Sequence, residues 1–152
     1  MKKIFVLAAL FLLAVSSVCA QSADRLTALI ESEKVTYGQV CYFAAMARDM
    51  IDEKSSDEAA FRALVSAGYL PKKAEADSAV TLAQVAGVCS MAWDIKKSLF
   101  FKISKSPRYA FKQLQALGII SPSADPSSTV TGHQAVNIIT ACMELAEEEA
   151  AR

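Results

Sequence analysis

The stretch VTYGQV, Val35–Val40, returns as VTLAQV at Val80–Val85 and as VTGHQA at Val130–Ala135. Val-Thr-x-x-Gln ahead of apolar residues is a helix-start pattern. The threonine hydroxyl accepts from the N–H of the third helical residue. The glutamine at that residue reaches back to the threonine N–H, so two opening amides are satisfied reciprocally. The valine before each threonine pairs with an apolar residue one turn inside: Val35 with Val40, Val80 with Val85, Val130 with Ala135, a hydrophobic staple. Three capped helices are therefore predicted to open at Thr36, Thr81 and Thr131.

The copies stay similar beyond the cap. One apolar stripe reads Val40, Phe43, Ala44, Ala47, Met50; the next Val85, Val88, Cys89, Ala92, Ile95; the third Ala135, Ile138, Ile139, Cys142, Leu145. This i, i+3, i+4, i+7, i+10 spacing is the inward face of an α-helix. A second element repeats as FRALVSAGYL from Phe61 and FKQLQALGII from Phe111, each with a glycine seven residues after the phenylalanine. Gly68 and Gly118 are predicted to stop their helices in the left-handed conformation, which costs nothing without a Cβ. Each lies 13 residues before the threonine of the next cap, across a polar, proline-bearing loop.

The unit is a short helix, a glycine stop, a loop and a longer capped helix. Repeats are expected at about 24–51, 56–97 and 107–149, the first with a truncated short helix over Asp24–Glu31. The capped helices are expected to run from Thr36 to about Ile51, and in the second and third units to Lys97 and about Glu149. Units of this size cannot bury their own apolar faces and stack on one another. The predicted fold is an all-α, compact helical pseudo-repeat bundle of three capped helices and shorter connecting helices.

Residues 1–20, MKKIFVLAALFLLAVSSVCA, have the form of a secretory signal peptide: Lys2 and Lys3, an apolar run, then small residues before a cut after Ala20. The run is short of the ~20 residues a membrane span needs. Cys19 raises a lipoprotein alternative, but Ser16-Ser17-Val18 fits an acylation motif poorly. Cleavage leaves 21–152 as one domain with 14 basic and 16 acidic side chains, a net charge of −2, which gives no general pull toward nucleic acid or anionic membrane. Export implies a compartment that permits disulfides. Three cysteines, Cys41, Cys89 and Cys142, remain, an odd number. They are expected as small buried hydrophobes, with a single disulfide between two of them as the alternative. Their spacing does not suit a zinc site, and no metal or cofactor is expected.

One charge asymmetry stands out. From Lys96 to Lys112 there are six basic residues and no acidic one: Lys96, Lys97, Lys102, Lys105, Arg108 and Lys112. Phe100, Phe101, Tyr109 and Phe111 are interleaved with them. Cations beside aromatic faces suit anionic glycans, phosphates or lipid headgroups; the alternative is a solvated loop whose phenylalanines belong to the core. Trp93, one position off the apolar stripe, is a candidate for stacking on a sugar ring or for packing under a loop. The candidate binding residues are Trp93, Lys96, Lys97, Lys102, Lys105, Arg108 and Tyr109. His133, the sole histidine, has no acid partner or nucleophile indicated by its surroundings, so no catalytic residue is assigned and no enzyme is expected. Glu144–Glu149 places four acids at a helix C-terminus, against the macrodipole, and is expected to fray or to serve solubility.

The segments Tyr109–Leu145, Phe61–Ala92 and Lys34–Ala47 resemble the S-layer homology (SLH) family, whose repeats join a short aromatic-bearing helix through Gly-Ile and a loop to a Val/Ile-Thr-Arg-Ala-Glu cap. The resemblance implies a three-repeat helical module that attaches to cell-wall glycans in a groove between repeats, the arginine of the cap touching the sugar. The chain departs from that pattern. Tyr37, Leu82 and Gly132 hold the arginine slot, Gln39, Gln84 and Gln134 the glutamate slot, and Ser56 and Ser106 the tryptophan slot. Glutamine keeps the capping role, but the sugar contact at those slots is lost. The expected function is an exported, non-catalytic envelope module docking on peptidoglycan or another wall glycan. A periplasmic protein–protein adaptor, or a structural subunit of an envelope assembly, is the alternative.

Overall fold

Thr36, Thr81 and Thr131 each cap a helix as the sequence predicts. The computed structural model describes residues 23–70, 73–95 and 106–152, and these are all-helical without a β-strand. The predicted signal peptide and the basic residues Lys96, Lys97, Lys102 and Lys105 lie outside them. The helices are α1 (23–30), α2 (Tyr37–Ala47), α3 (Asp57–Ser66), α4 (Leu82–Ala92), α5 (Pro107–Ala116) and α6 (Gly132–Ala150). In all three capping boxes the glutamine N–H donates to the threonine Oγ1 at 3.3–3.4 Å. The threonine N–H donates to the glutamine Oε1 at 2.8–3.0 Å. The staple residues Val35, Val40, Val80, Val85, Val130 and Ala135 are all buried.

The three units close into a ring. Val35 N–H donates to the Val130 carbonyl and Val80 N–H to the Val35 carbonyl, both at 2.9 Å. Around this centre each helix mouth is covered by the loop that leads to the next cap. The first two amides of α2, Tyr37 and Gly38, donate to Ser78 and Ala76. Those of α4, Leu82 and Ala83, donate to Ser128 and Pro126, and Gly132 at the start of α6 donates to Ser32. Capping box and loop together partner the first three amides of α2 and of α4, groups that a helix cannot satisfy from within itself.

Two kinds of stop end the helices. Gly68 and Gly118 both sit at φ +76, and the next amide folds back, Tyr69 onto Leu64 and Ile119 onto Leu114, both at 2.9 Å. The capped helices α2 and α4 are shorter than expected. They end at Ala47 and Ala92, not at Ile51 and Lys97, because Asp49 and Asp94 take φ +53 and +49. Met50 then donates to Ala45, and Ile95 to Ser90, the same 6→1 closure that a glycine gives. The two stops read MARDM and MAWDI; the third unit has ACMEL, with Glu144 in the aspartate position. Aspartate tolerates the left-handed region through its short polar side chain, and glutamate lacks that property. Accordingly α6 continues to Ala150, 19 residues against 11 for α2 and α4.

The core draws on all three units. The stripes of α4 and α6 are buried as predicted, with Leu145 half-buried. That of α2 is displaced: Ala47 is exposed and Phe43 and Met50 are half-buried, while Tyr37, Cys41, Tyr42 and Ala45 are buried. Helix α2 packs on α3 as well as on α4, which accounts for the added burial of Cys41, Tyr42 and Ala45. Helix α1 docks through Arg25, which pairs with Asp57, donates to the Ser55 carbonyl at 2.8 Å and lies 4.2 Å over the Tyr42 ring.

Candidate functional site

The residues at the positions compared with the SLH repeats have structural roles of their own. All three arginine-slot residues are turned into packing: Tyr37 is 2% exposed, Leu82 5%, and Gly132 is buried. Tyr37 meets Phe61 edge-on, ring centroids 6.0 Å apart. Gly132 admits nothing larger, since a Cβ there would stand 1.8 Å from the Leu29 carbonyl oxygen. The end of α1 fills the seam between the third and first units. Ser56, in a tryptophan slot, is the N-cap of α3, its hydroxyl accepting from Ala59 N–H at 3.1 Å.

A groove of about 280 Å³ remains open on the second unit, flanked by one residue from each neighbouring unit. Its walls come from Tyr37, from Tyr69 and Leu70 after the α3 glycine stop, from Gln84, Val88 and Met91 along one side of α4, and from Pro107. Gly87 lets Pro107 approach; a Cβ there would meet the proline Cα at 3.3 Å. The volume lies just below the ~300–1,000 Å³ of typical small-molecule sites, room for about one sugar ring. Tyr69 carries a cation with it. Arg48, the C-cap of α2, donates from Nη2 to the Tyr69 hydroxyl at 2.9 Å, its guanidinium carbon 5.6 Å from the ring centroid. Arg48 is exposed, so the guanidinium keeps donors toward solvent at the edge of the groove.

The predicted binding residues are only partly brought together. Arg108 and Tyr109 lie in the first turn of α5, directly after Pro107, and both are exposed. Lys112 is exposed one turn later. Trp93 is half-buried at the C-cap of α4, its N–H donating to Cys89, and it packs against the core; the groove is walled by Gln84, Val88 and Met91 of the same helix instead. Sequence inspection missed Arg48 and Tyr69. Their only signal is that Arg48 breaks the apolar run of α2 and that Tyr69 follows a glycine stop.

His133 is exposed in the first turn of α6 while Cys41, Cys89 and Cys142 are all 0% exposed, so no cysteine–histidine dyad forms. Burial pushes the Cys41 thiol up to about 12, with Asp57 adding to the rise. The Tyr37 hydroxyl is likewise pushed up to about 12 by burial. Both groups stay protonated and inert at neutral pH. Among the described residues no cluster of histidine, cysteine and carboxylate groups has metal-binding geometry, and no helix is long and apolar enough to cross a membrane. No protein-family model, curated protein or solved structure matches the chain.

Proposed function

We propose that the chain is a non-catalytic, exported module of the cell envelope that docks on peptidoglycan or another wall glycan. The observation that supports this is the groove on the second unit, with the Tyr69 ring on one wall and the Arg48 guanidinium bonded to the hydroxyl of that tyrosine. A pyranose ring has an apolar face and a rim of hydroxyl or acidic groups. Leu70, Val88, Met91 and Pro107 suit the first, and the Arg48–Tyr69 pair suits the second. The basic run Lys96–Lys112 enters α5 at Pro107, one wall of this groove, and adds long-range attraction to an anionic polymer.

The test is retention of the purified protein on isolated wall sacculi across a salt series. Retention is expected to weaken with salt, to fall about tenfold in Tyr69→Ala, and to fall further in the Lys97→Glu, Lys102→Glu double variant. Trp93→Ala is expected to leave it unchanged. Retention that ignores both the Tyr69 and the lysine substitutions removes the glycan reading. A second reading, a protein–protein adaptor, is favoured by one observation: the slots that resemble SLH arginines are buried at Tyr37, Leu82 and Gly132. No retention on sacculi, together with a single envelope protein cross-linked at Tyr69 or Arg48, selects it.

A further inference from the structure

The three cysteines come from three different units, Cys41 on α2, Cys89 on α4 and Cys142 on α6. They do not occupy equivalent places in the repeat, yet all are free thiols without solvent exposure in one core. They are not equally close. Cys142 is the side chain that acts most strongly on Cys89, pushing its thiol up, whereas Cys41 acts on it only through space and more weakly. Cys41 has other neighbours, feeling Asp57 and acting on Tyr37. Helices α4 and α6 pack directly on each other.

We propose that Cys89 and Cys142 are the site of a core disulfide that ties the second unit to the third under oxidising conditions, with Cys41 left as a thiol. The oxidant is a small-molecule or protein disulfide. The Cys89 thiolate attacks one sulfur of that disulfide, whose S–S bond breaks and releases the first thiolate. The Cys142 thiolate then attacks the Cys89 sulfur of the mixed disulfide and releases the second. Two electrons pass from the cysteines to the oxidant, and the two cysteine protons end on its thiols. Both sulfurs are sealed from solvent in the folded chain, and only a thiolate reacts. The bond therefore forms while the chain folds, and the finished core protects whichever state it encloses. The proposal stands apart from the glycan reading, since neither cysteine lines the groove.

The test is refolding of the full chain from denaturant in a buffer of oxidised and reduced glutathione, followed by alkylation under denaturing conditions and peptide mapping. The expected product is a linked pair of peptides carrying Cys89 and Cys142, about 2 Da lighter than the two thiol peptides together, with Cys41 alkylated. The linked chain is expected to melt on the order of 10 °C above its reduced form. Cys41→Ala should keep both link and shift, whereas Cys89→Ala and Cys142→Ala should lose both while keeping a helical spectrum. Folded reduced protein should resist alkylation at all three positions. Alkylation of both Cys89 and Cys142 after oxidative refolding overturns the proposal, as does a link made through Cys41. A linked chain that melts no higher than the reduced one removes the stapling role.

Discussion

Gly132 shows how much one missing carbon decides. A Cβ at this position meets backbone, the Leu29 oxygen at 1.8 Å and the Ile30 oxygen at 2.6 Å, and backbone at a helix end has nowhere to swing. Gly132→Ala is expected to lose about 3 kcal/mol, visible as a lower urea midpoint and as release of α1. Gly87→Ala is the matched control. There the new atom meets Pro107 at 3.3–3.5 Å, a contact relieved by a small shift, and the loss should stay below about 1 kcal/mol. Nothing in the sequence marked the difference. A glycine in the first turn of a helix reads as indifferent to its neighbours until the segment that lies against it is known.

The helices are the scale at which sequence served best, because their starts and stops are local chemistry. Threonine and glutamine three residues apart make the same two hydrogen bonds wherever they stand, and Gly68 and Gly118 turn left whatever surrounds them. The aspartate stops were equally local but escaped notice: Asp49 and Asp94 declare themselves only when MARDM is laid over MAWDI. They yield a pair of opposite expectations. Asp49→Gly should stabilise the protein by about 0.5 kcal/mol, since glycine removes the Cβ penalty at φ +53 and gives part of the gain back in unfolded-chain entropy. Glu144→Gly, the same change at the equivalent place in α6, should cost about 1 kcal/mol, because there glycine interrupts a continuous helix. Chemical denaturation of both variants checks the signs. Helix α2 touches two neighbours and so buries Cys41, Tyr42 and Ala45, which a single-face pattern places outside.

At the level of the whole molecule, burial of ionisable groups sets a pH limit. Tyr37 and Cys41 are protonated up to about pH 12 in the folded chain and release their protons near 10 and 9 when exposed. Above pH 9 the unfolded chain therefore binds fewer protons than the folded one, and stability must fall as pH rises. It should be undiminished by these groups below pH 9 and decline steadily toward pH 12. Urea midpoints against pH measure this directly, and tyrosine absorbance near 295 nm should show Tyr37 ionising only as the fold is lost. A flat midpoint from pH 9 to 11.5 would contradict it. The groove and the cysteine cluster also belong to this scale. Each gathers residues from Tyr37 to Pro107, or from Cys41 to Cys142, and no window of sequence holds them together. The composition showed that such residues were present, and only the ring brought them within reach of one another.

That ring has a temporal side. Val35 finds its acceptor at Val130, and the first turn of α6 leans on the last turn of α1, so the beginning of the fold awaits a partner roughly a hundred residues downstream. A growing chain that has not yet reached Val130 holds two helix pairs and an open seam. Such a chain must finish synthesis before it can settle, and truncation anywhere ahead of that valine should leave a loose, protease-sensitive fragment instead of a smaller stable protein.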